Sequence, residues 1–195
     1  MKKPCIGVVG LTGQSVFMKV EHLPRTGETV KCKELFTEPG GKGHNQAAAC
    51  SALGTDCVFI SAVGSDSWGQ ACKEDLQSRK VEAVLKEKVA GTACAFIMTD
   101  DNGDNIVSVY PGASMELTKE DIRSDKVKNS LKECDLLLTR MELSEDCLQA
   151  LLEISKENSI PILLNPAPAK GLDPEFLRQF YTITPNEEEA KVLLN

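Results

Sequence analysis

Short apolar runs alternate along the chain with longer amphipathic segments, and this alternation limits the possible folds more than any other feature. The apolar runs predict strands at residues 5–10, 57–63, 81–87, 134–139, 160–165 and 181–184. The intervening segments predict helices at residues 45–53, 67–80 and 144–158, a short helix that opens at Asp173-Pro174, and a last helix from Asn186. Because strands that alternate with helices form βαβ units, the sequence predicts an α/β fold with a mainly parallel central sheet flanked by helices.

Two segments, residues 14–37 and 91–112, interrupt this alternation. The first is extended and punctuated by turn residues. The second holds two strand-like runs around Asn102-Gly103, a dipeptide that is typical of hairpin turns. We expect both segments to form a small, mainly antiparallel sheet that stands off the α/β body. Its apolar face is expected to contain Val16, Met18, Val20, Ala95, Ile97, Val107 and Val109.

Composition narrows the class of protein. The chain has 195 residues and a formal net charge of −7, which disfavours nucleic acid as the main partner. No apolar run reaches the roughly 18 residues that span a bilayer, so we expect no membrane partner. The eight cysteines form no CxxC pair, and neither His22 nor His44 lies at metal-ligand spacing from a cysteine. We therefore expect reduced thiols, no structural zinc and a cytoplasmic protein.

Residues 39–48 (PGGKGHNQAA) carry the most chemical information, because three glycines flank Lys42 just before a predicted helix. Glycine permits close backbone approach, and a helix N-terminus presents unpaired N–H groups with partial positive charge. Such a loop suits sugar hydroxyls, carboxylates or phosphates, although its spacing is not that of a Walker A loop. A tight strand-to-helix turn with a solvated lysine explains the same residues, so residue chemistry alone leaves both interpretations open.

This segment resembles the N-terminal pattern of the ribokinase/pfkB family of carbohydrate kinases. Further matches occur in the family's order: LPRTGETV before it, and AVGSDSWGQ, NPAPAKGLDPEF and ITPNEEEA after it. The resemblance covers essentially residues 1–195. It implies a ribokinase-like α/β body with a small β-sheet lid formed by residues 14–37 and 91–112. The implied activity is transfer of the ATP γ-phosphate to a sugar or sugar-like alcohol.

The resemblance also implies roles for single residues on the sugar side. Gly41, Lys42 and Asn45 match positions that hold sugar hydroxyls through backbone N–H groups and a side-chain amide. Glu142 matches a glutamate that contacts the sugar. It follows a predicted strand and so falls at the carboxyl edge of the sheet, where ligands bind in α/β proteins. An exposed glutamate at a strand end is the alternative for Glu142.

On the phosphate side, Asn186 and Glu189 match residues near the phosphates and a metal-bound water. The resemblance therefore implies ATP and Mg²⁺ as cofactors, and leaves open whether a monovalent cation activates. The three-residue spacing places both side chains on one face of the last helix. The same spacing predicts an N-cap with its capping-box partner, and both interpretations can hold together. Asn165 is expected to shape the floor of the cleft.

Two positions depart from the family pattern. The family has Asn and Asp after the first strand, and these positions fall here on Gly13 and Ser15. Losing a charged hydrogen-bond partner costs about 1.5–3 kcal/mol, so ribose itself is not a secure substrate. Arg140, beside Glu142, adds a cation at the same edge. This combination suggests a substrate whose acidic or phosphorylated group pairs with Arg140.

The family's catalytic motif, a GAGD turn that supplies the general-base aspartate, does not occur in these 195 residues. We therefore expect no catalytic residue in this chain, with the base and most of the nucleotide site lying beyond Asn195. The chain would then be a partial kinase domain that carries mainly the sugar-binding part and is inactive alone.

Other interpretations stay open. One is a non-catalytic sugar-binding or regulatory module with a kinase-like fold. A nucleotide-dependent dehydrogenase is disfavoured, because Gly7, Gly10 and Gly13 are spaced GxxGxxG rather than GxGxxG. The apolar lid face favours a homodimer, because lids in the family often pair between subunits. Folding of that face onto the chain's own cleft is the alternative.

Overall fold

The computed structural model describes residues 3–169 and 173–194, which form two separate β-sheets. The larger sheet contains β1 (Cys5–Val9), β4 (Asp56–Gly64), β5 (Glu82–Lys88), β8 (Leu136–Arg140), β9 (Ile162–Asn165) and β10 (Thr182–Ile183). Its strands are all parallel, in the order β10-β9-β8-β1-β4-β5. The α/β prediction is therefore confirmed, and each predicted strand lies within two residues of an observed one.

Helices connect these parallel strands. They are α1 (Lys42–Ala52), α2 (Ser67–Ser78), α3 (Lys119–Ile122), α4 (Asp125–Leu131), α5 (Glu145–Asn158), α6 (Pro174–Leu177) and α7 (Glu187–Leu194). A 3-10 helix covers Gly112–Glu116. The sequence pattern predicted neither this helix nor α3 and α4. It also placed the start of α1 at Asn45, whereas the helix begins three residues earlier, so Lys42 belongs to its first turn.

The core lies on both faces of the parallel sheet. Successive residues of a strand point to opposite faces. Val8 and Phe59 accordingly belong to the cluster beneath α1 and α2, whereas Val9 and Ile60 belong to the larger cluster that packs against α5. All four of these residues are fully buried. Burial on both faces explains why these strands are continuous apolar runs in the sequence, without polar alternation.

The second sheet contains β2 (Gly13–Lys19), β3 (Glu34–Gly40), β6 (Ala93–Thr99) and β7 (Asn105–Tyr110), in the order β3-β2-β6-β7. The β2–β3 and β6–β7 pairs are antiparallel. The central β2–β6 pair is parallel, so the sheet is mixed. Periodicity in a sequence cannot show which of two distant strands become neighbours, and the parallel pair was not predicted.

The predicted single apolar face of this sheet is wrong, because the register divides its residues between two faces. Val16 pairs with Phe96, so Val16 and Met18 lie on the face opposite to Ala95 and Ile97. Val107 and Val109 pair with Ile97 and Ala95 and share their face. A parallel register shifted by one residue exchanges the two faces, which is why the prediction failed. Val20 follows β2 and is buried.

Large apolar side chains are exposed on both faces of this second sheet. The face of Val16 carries Leu35, Phe96, Ile106 and Tyr110, and the face of Ala95 carries Phe36, Val107 and Val109. Across the described ranges, none of the helices has the length and apolar character that a membrane span requires.

Candidate functional site

The candidate site lies at the carboxyl edge of the six-stranded sheet. Because the strands are parallel, their carboxyl ends meet at one edge, where α/β proteins usually bind ligands. β8 ends at Arg140, which pairs with Asn165 at the end of β9. At the same edge β1 continues into residues 10–12, the link that joins the two sheets. Side chains from β2, α1, β8 and α7 thus surround this edge.

Two glycines let the first turn of α1 pack against the link. Gly41 is the N-cap of α1 with a φ of 101°, and a Cβ there would lie 2.8 Å from the Leu11 carbonyl oxygen. A Cβ on Gly43 would lie 2.8 Å from backbone atoms of Gly10. Among the described residues no side chain caps α1, and its first turn has no acidic residue. This helix end can therefore attract an anion or an electron-rich oxygen.

Ser15 and Asn45 approach each other over Gly40. A Cβ built on Gly40 would lie 3.0 Å from Ser15 Oγ and 3.8 Å from Asn45 Oδ1. Ser15 also lines a small pocket of about 30 Å³, together with Leu11, Gly13, Gln14, Gly41, Ala93, Cys94, Ala95 and Val109. Such a volume holds a water-sized group. A whole sugar would have to lie in the open cleft beside this pocket, with Asn45 exposed to it.

An ion-pair cluster joins β8 to α1. Lys42 Nζ lies 3.3 Å from Glu142 Oε1, and Arg140 Nε lies 3.7 Å from Glu142 Oε2. The intervening Met141 and the following Leu143 are buried in the core, so Arg140 and Glu142 alternate with them on the opposite side. The structure thus brings together Lys42, Arg140 and Glu142, three of the site residues predicted from the sequence.

The Arg140–Glu142 part of this cluster is mostly buried but incompletely hydrogen-bonded. The side chains of Arg140 and Glu142 are 12% and 14% exposed. Within the described part of the chain, Arg140 Nε and Glu142 Oε2 are buried atoms with no hydrogen-bond partner. Burial lowers the pKa of the Arg140 guanidinium, and the charges of Glu142 and Glu189 oppose this effect. Buried polar atoms normally find partners, so these two are candidates for ligand contact.

Asn186 and Glu189 lie at the start of α7 and cap it. The Asn186 side chain accepts a hydrogen bond from the Glu189 N–H (2.8 Å), and Glu189 Oε2 accepts one from the Asn186 N–H (2.9 Å). This is the reciprocal capping box that their spacing predicts. In the described structure the cap uses Asn186 Oδ1 and Glu189 Oε2, and does not involve Asn186 Nδ2 or Glu189 Oε1. Asn165 donates from Nδ2 to the Thr184 carbonyl oxygen (2.7 Å), and so ties β9 to the segment before α7.

A buried network around His44 was not predicted. His44 is 1% exposed. Its Nδ1 lies 2.8 Å from Thr12 Oγ1, and its Nε2 lies 2.7 Å from Asp75 Oδ2. Asp75 also accepts a hydrogen bond from Arg79 Nε (2.6 Å). Since a carboxylate only accepts, the His44 Nε2–H donates to Asp75, and neutral Nδ1 accepts from the Thr12 hydroxyl.

The network fixes the link between the two sheets to α1 and α2. Burial lowers the pKa of His44, and the hydrogen bond to Asp75 opposes this only in part. The Thr12 carbonyl oxygen accepts a further hydrogen bond from Ser114 Oγ (3.1 Å). His44 lies 32 residues from Thr12 and 31 from Asp75 in the sequence. The available signal was a histidine and a threonine within apolar, glycine-rich segments, where buried polar groups need partners.

Comparisons with known proteins agree with the family resemblance seen in the sequence. The pfkB family carbohydrate kinase pattern matches residues 5–195. The chain belongs to the pfkB family of carbohydrate kinases.

Several relatives of this pfkB-family chain are known. It is 33% identical over 189 residues to a ribokinase of Staphylococcus aureus (strain COL), covering 95% of this chain and 62% of that protein. It is 30% identical over 191 residues to a deoxyribokinase of Salmonella typhi, covering 96% of this chain and 62% of that protein. The chain therefore spans about three fifths of the length of these relatives.

The solved structures of the family share this fold. An Arabidopsis thaliana ribokinase complexed with ribose and ATP superposes with a TM-score of 0.86 at 26% identity. That match covers 99% of this chain and 63% of the plant protein. The ribokinase-like arrangement of a parallel sheet, flanking helices and a separate mixed sheet is therefore established for this chain.

Proposed function

We propose an ATP-dependent carbohydrate kinase function of the ribokinase type, with this chain carrying mainly the sugar-binding part. The observation that carries this proposal is the Lys42–Glu142 ion pair beside the uncapped first turn of α1. A carboxylate accepts hydrogen bonds from hydroxyls, and a helix N-terminus and an ammonium donate to them. These groups together suit the vicinal hydroxyls of a sugar or a sugar-like alcohol.

Each residue of the cleft has a proposed task. Glu142 accepts hydrogen bonds from two sugar hydroxyls, and Lys42 holds the Glu142 carboxylate in place while donating to a hydroxyl itself. The Gly41 backbone and the Asn45 amide bind further hydroxyls from the α1 side. Gly13 and Ser15 line the inner end of the cleft. The second sheet would serve as a lid above these groups, with residues 14–37 and 91–112 as its two segments.

The phosphate side is proposed to lie at the start of α7. Mg²⁺ prefers oxygen ligands and keeps several waters, so one carboxylate near the phosphates is enough to hold it through water. Glu189 fits this requirement, because the helix cap uses only one of its oxygens. Asn186 would donate from Nδ2 to a phosphate oxygen. When bound, Mg²⁺-ATP supplies the phosphoryl group; the residues here orient the sugar hydroxyl that receives it.

Sugar binding by Glu142 tests this proposal. The Glu142→Gln variant keeps the side-chain size but removes the charge, so charge-assisted hydrogen bonds to hydroxyls are lost. We expect the Kd for ribose or a related polyol, measured by isothermal titration calorimetry, to rise by about tenfold or more. Glu133→Gln, at an exposed glutamate before β8, is the matched control and should leave the Kd unchanged.

An equal Kd for wild type and Glu142→Gln would exclude Glu142 from the site. ATP turnover with the bound sugar separates a kinase from a binding module. Saturable sugar binding with no ATP consumption, in a protein that has the full length of its relatives, would favour the non-catalytic sugar-binding or regulatory module.

We also propose a homodimer through the second sheet. Its exposed apolar side chains on both faces support this, because contiguous apolar surface of this kind marks interaction sites. Ile106 and Val107 are neighbours in β7, are each 51% exposed, and lie on opposite faces. Light scattering of Ile106→Glu and Val107→Glu tests the proposal. The variant on the interface face should become monomeric, and a monomeric wild type would contradict the dimer.

A further inference from the structure

Arg140 lies where a cation is hard to explain by the chain's own contacts. It ends β8 and is 12% exposed, and its nearest charged neighbour in the described structure is Glu142, at 3.7 Å. That distance is too long for a hydrogen bond, and the Arg140 Nε atom has no partner at all among the described residues. Burying a charge without hydrogen bonds is unfavourable. Among the described residues, the Arg140 Nε–H group therefore lacks an oxygen acceptor.

The surrounding charges favour an anionic acceptor. Two cations, Lys42 and Arg140, flank the single carboxylate of Glu142, with each of its oxygens turned to one cation. Glu189 is the other acidic residue whose charge acts on Arg140, but its Oε2 is committed to the cap of α7. The two cations thus balance the two carboxylates before a ligand binds. The uncapped N-terminus of α1, which carries Lys42, adds a partial positive charge that favours an anion beside the cluster.

On the other side of the cleft, no charged side chain of the described residues lines the small pocket. The small pocket at the base of the second sheet is lined by apolar side chains such as Ala95 and Val109, with Ser15 as its hydroxyl donor. A substrate with one charged end would place its neutral end there. Its charged end would then lie at the sheet edge, beside Arg140. Arginine suits this role because its planar fork pairs with two oxygens of one carboxylate or phosphate at once.

We propose that Arg140 binds a carboxylate or phosphate group of the substrate, so that the substrate is a sugar acid or a sugar phosphate. This inference rests on the proposed sugar site and specifies its substrate class. Glu142 keeps its task of accepting hydroxyl hydrogens, and Lys42 shields Glu142 from the substrate's negative charge. In this arrangement the two unpartnered buried atoms receive different ligand groups: Arg140 Nε an anionic oxygen, and Glu142 Oε2 a hydroxyl.

Matched pairs of ligands test the inference on the chain as it exists. Gluconate and glucitol differ only at one terminal carbon, as do ribonate and ribitol, and ribose 5-phosphate differs from ribose by the phosphate. Isothermal titration calorimetry should give a Kd about tenfold or more lower for the anionic member of at least one pair. The pair that responds identifies carboxylate or phosphate as the group. The preference should shrink as salt is raised.

Variants then assign the preference to Arg140. Arg140→Gln should lose the preference and bind both members of the pair with equal Kd. Arg140→Lys should keep part of the preference, because an ammonium cannot form the paired hydrogen bonds. The matched control is Arg123→Gln, at a half-exposed arginine that pairs with Glu153 on the surface; it should keep the full preference.

Three outcomes overturn the inference. Equal affinity of wild type for charged and neutral partners contradicts it, and this measurement needs no variant to fold. An anion preference that survives in Arg140→Gln also contradicts it. In both cases neutral polyols still bind, so the proposed sugar site stands. If no polyol binds, charged or neutral, the proposed sugar site is wrong. The proposed role of Arg140 is then wrong too, because it depends on that site.

Discussion

Two clusters of buried polar side chains lie beside the first turn of α1. They differ in whether the protein itself supplies all of their hydrogen-bond partners. In the His44 cluster, both ring nitrogens are hydrogen-bonded by Thr12 and Asp75 at 2.7–2.8 Å. In the Arg140–Glu142 cluster, a buried atom on each residue has no partner among the described residues. Both clusters contain a charge pair, but only the first is complete without a ligand.

The difference separates a structural role from a binding role. A complete buried network fixes one arrangement of the chain, and removing a member leaves the others unsatisfied. An incomplete one costs folding free energy and is typical of functional sites, where ligand contacts compensate for it. We therefore expect mutations in the two clusters to have opposite effects on stability and on ligand binding.

The largest effect is expected at His44. His44→Ala leaves the Thr12 hydroxyl and one hydrogen-bond site of Asp75 without a partner and opens a cavity beside Phe59. We expect a loss of about 3 kcal/mol in the free energy of unfolding, measured by urea denaturation. His22→Ala, at the half-exposed second histidine, is the control and should cost less than about 0.5 kcal/mol. Equal losses for the two variants would remove the distinction between the clusters.

A pH dependence of smaller size follows from the same residue. Burial lowers the pKa of His44 below its ordinary value of 6.5, so the unfolded chain takes up this proton more readily than the folded one. The stability that neutral His44 contributes should therefore be fully present above pH 6.5. It should fall by up to about 1.4 kcal/mol per pH unit below 6.5, until the lowered folded-state pKa is passed.

Thermal unfolding of wild type and His44→Gln between pH 7.5 and pH 5 checks this window. The variant should lose the slope below pH 6.5. The carboxyl groups of Asp66, Asp75 and Asp121 do not interfere, because hydrogen bonds lower their pKa values from an ordinary 3.8 despite burial. Their contribution to stability is lost only below pH 3.8. The same slope in both proteins would place the titrating group elsewhere.

Replacing Arg140 by an apolar residue of similar length is expected to change the free energy of unfolding in the direction opposite to His44→Ala. Arg140→Met removes a buried cation that lacks hydrogen bonds, while Glu142 keeps Lys42 as a partner. The unliganded variant should be as stable as wild type or more stable by about 1 kcal/mol, because the desolvation of Arg140 is not offset by hydrogen bonds and Lys42 still compensates the charge of Glu142. Calorimetric melting measures this. A loss above about 2 kcal/mol would show that the Arg140–Glu142 cluster is structural after all.

The smallest effect on stability is expected at Lys42. Its side chain is 55% exposed, and exposed ion pairs contribute about 0–1 kcal/mol. Lys42→Gln should therefore unfold within about 0.5 kcal/mol of wild type, yet raise the Kd for sugar several-fold, because the Glu142 carboxylate is no longer held in place. Unchanged sugar affinity would show that Lys42 is a solvated lysine in a tight strand-to-helix turn, the alternative that its sequence context left open.

The sequence predicted most of the fold and about half of the residues that form the site. Continuous apolar runs such as residues 57–63 indicated the parallel strands, because strands buried on both faces are apolar throughout. Glu142, Asn186 and Glu189 were found through the resemblance to the ribokinase/pfkB pattern, and Arg140 because it lies beside Glu142. The capping role of Asn186 and Glu189 followed from their spacing alone.

What the sequence did not reveal depends on contacts between distant segments. The His44 network needs Thr12 and Asp75, each more than 30 residues away, and no local pattern joins them. The parallel β2–β6 pair joins segments on either side of α1, β4, α2 and β5. The faces of the second sheet depend on that register, which is why its apolar face was assigned incorrectly.

The parallel pairing of β2 with β6 also has a consequence for the order in which the chain folds. The hairpins β2–β3 and β6–β7 are each local, but joining them closes a loop that contains α1, β4, α2 and β5. The entropy of such a closure delays the contact until the intervening segments are in place. We expect the amides of β7, exposed along its whole length, to be the last to gain protection from hydrogen exchange during refolding and the first to lose it. The sheet that would cover the substrate is thus also the part that can open while the parallel sheet stays folded.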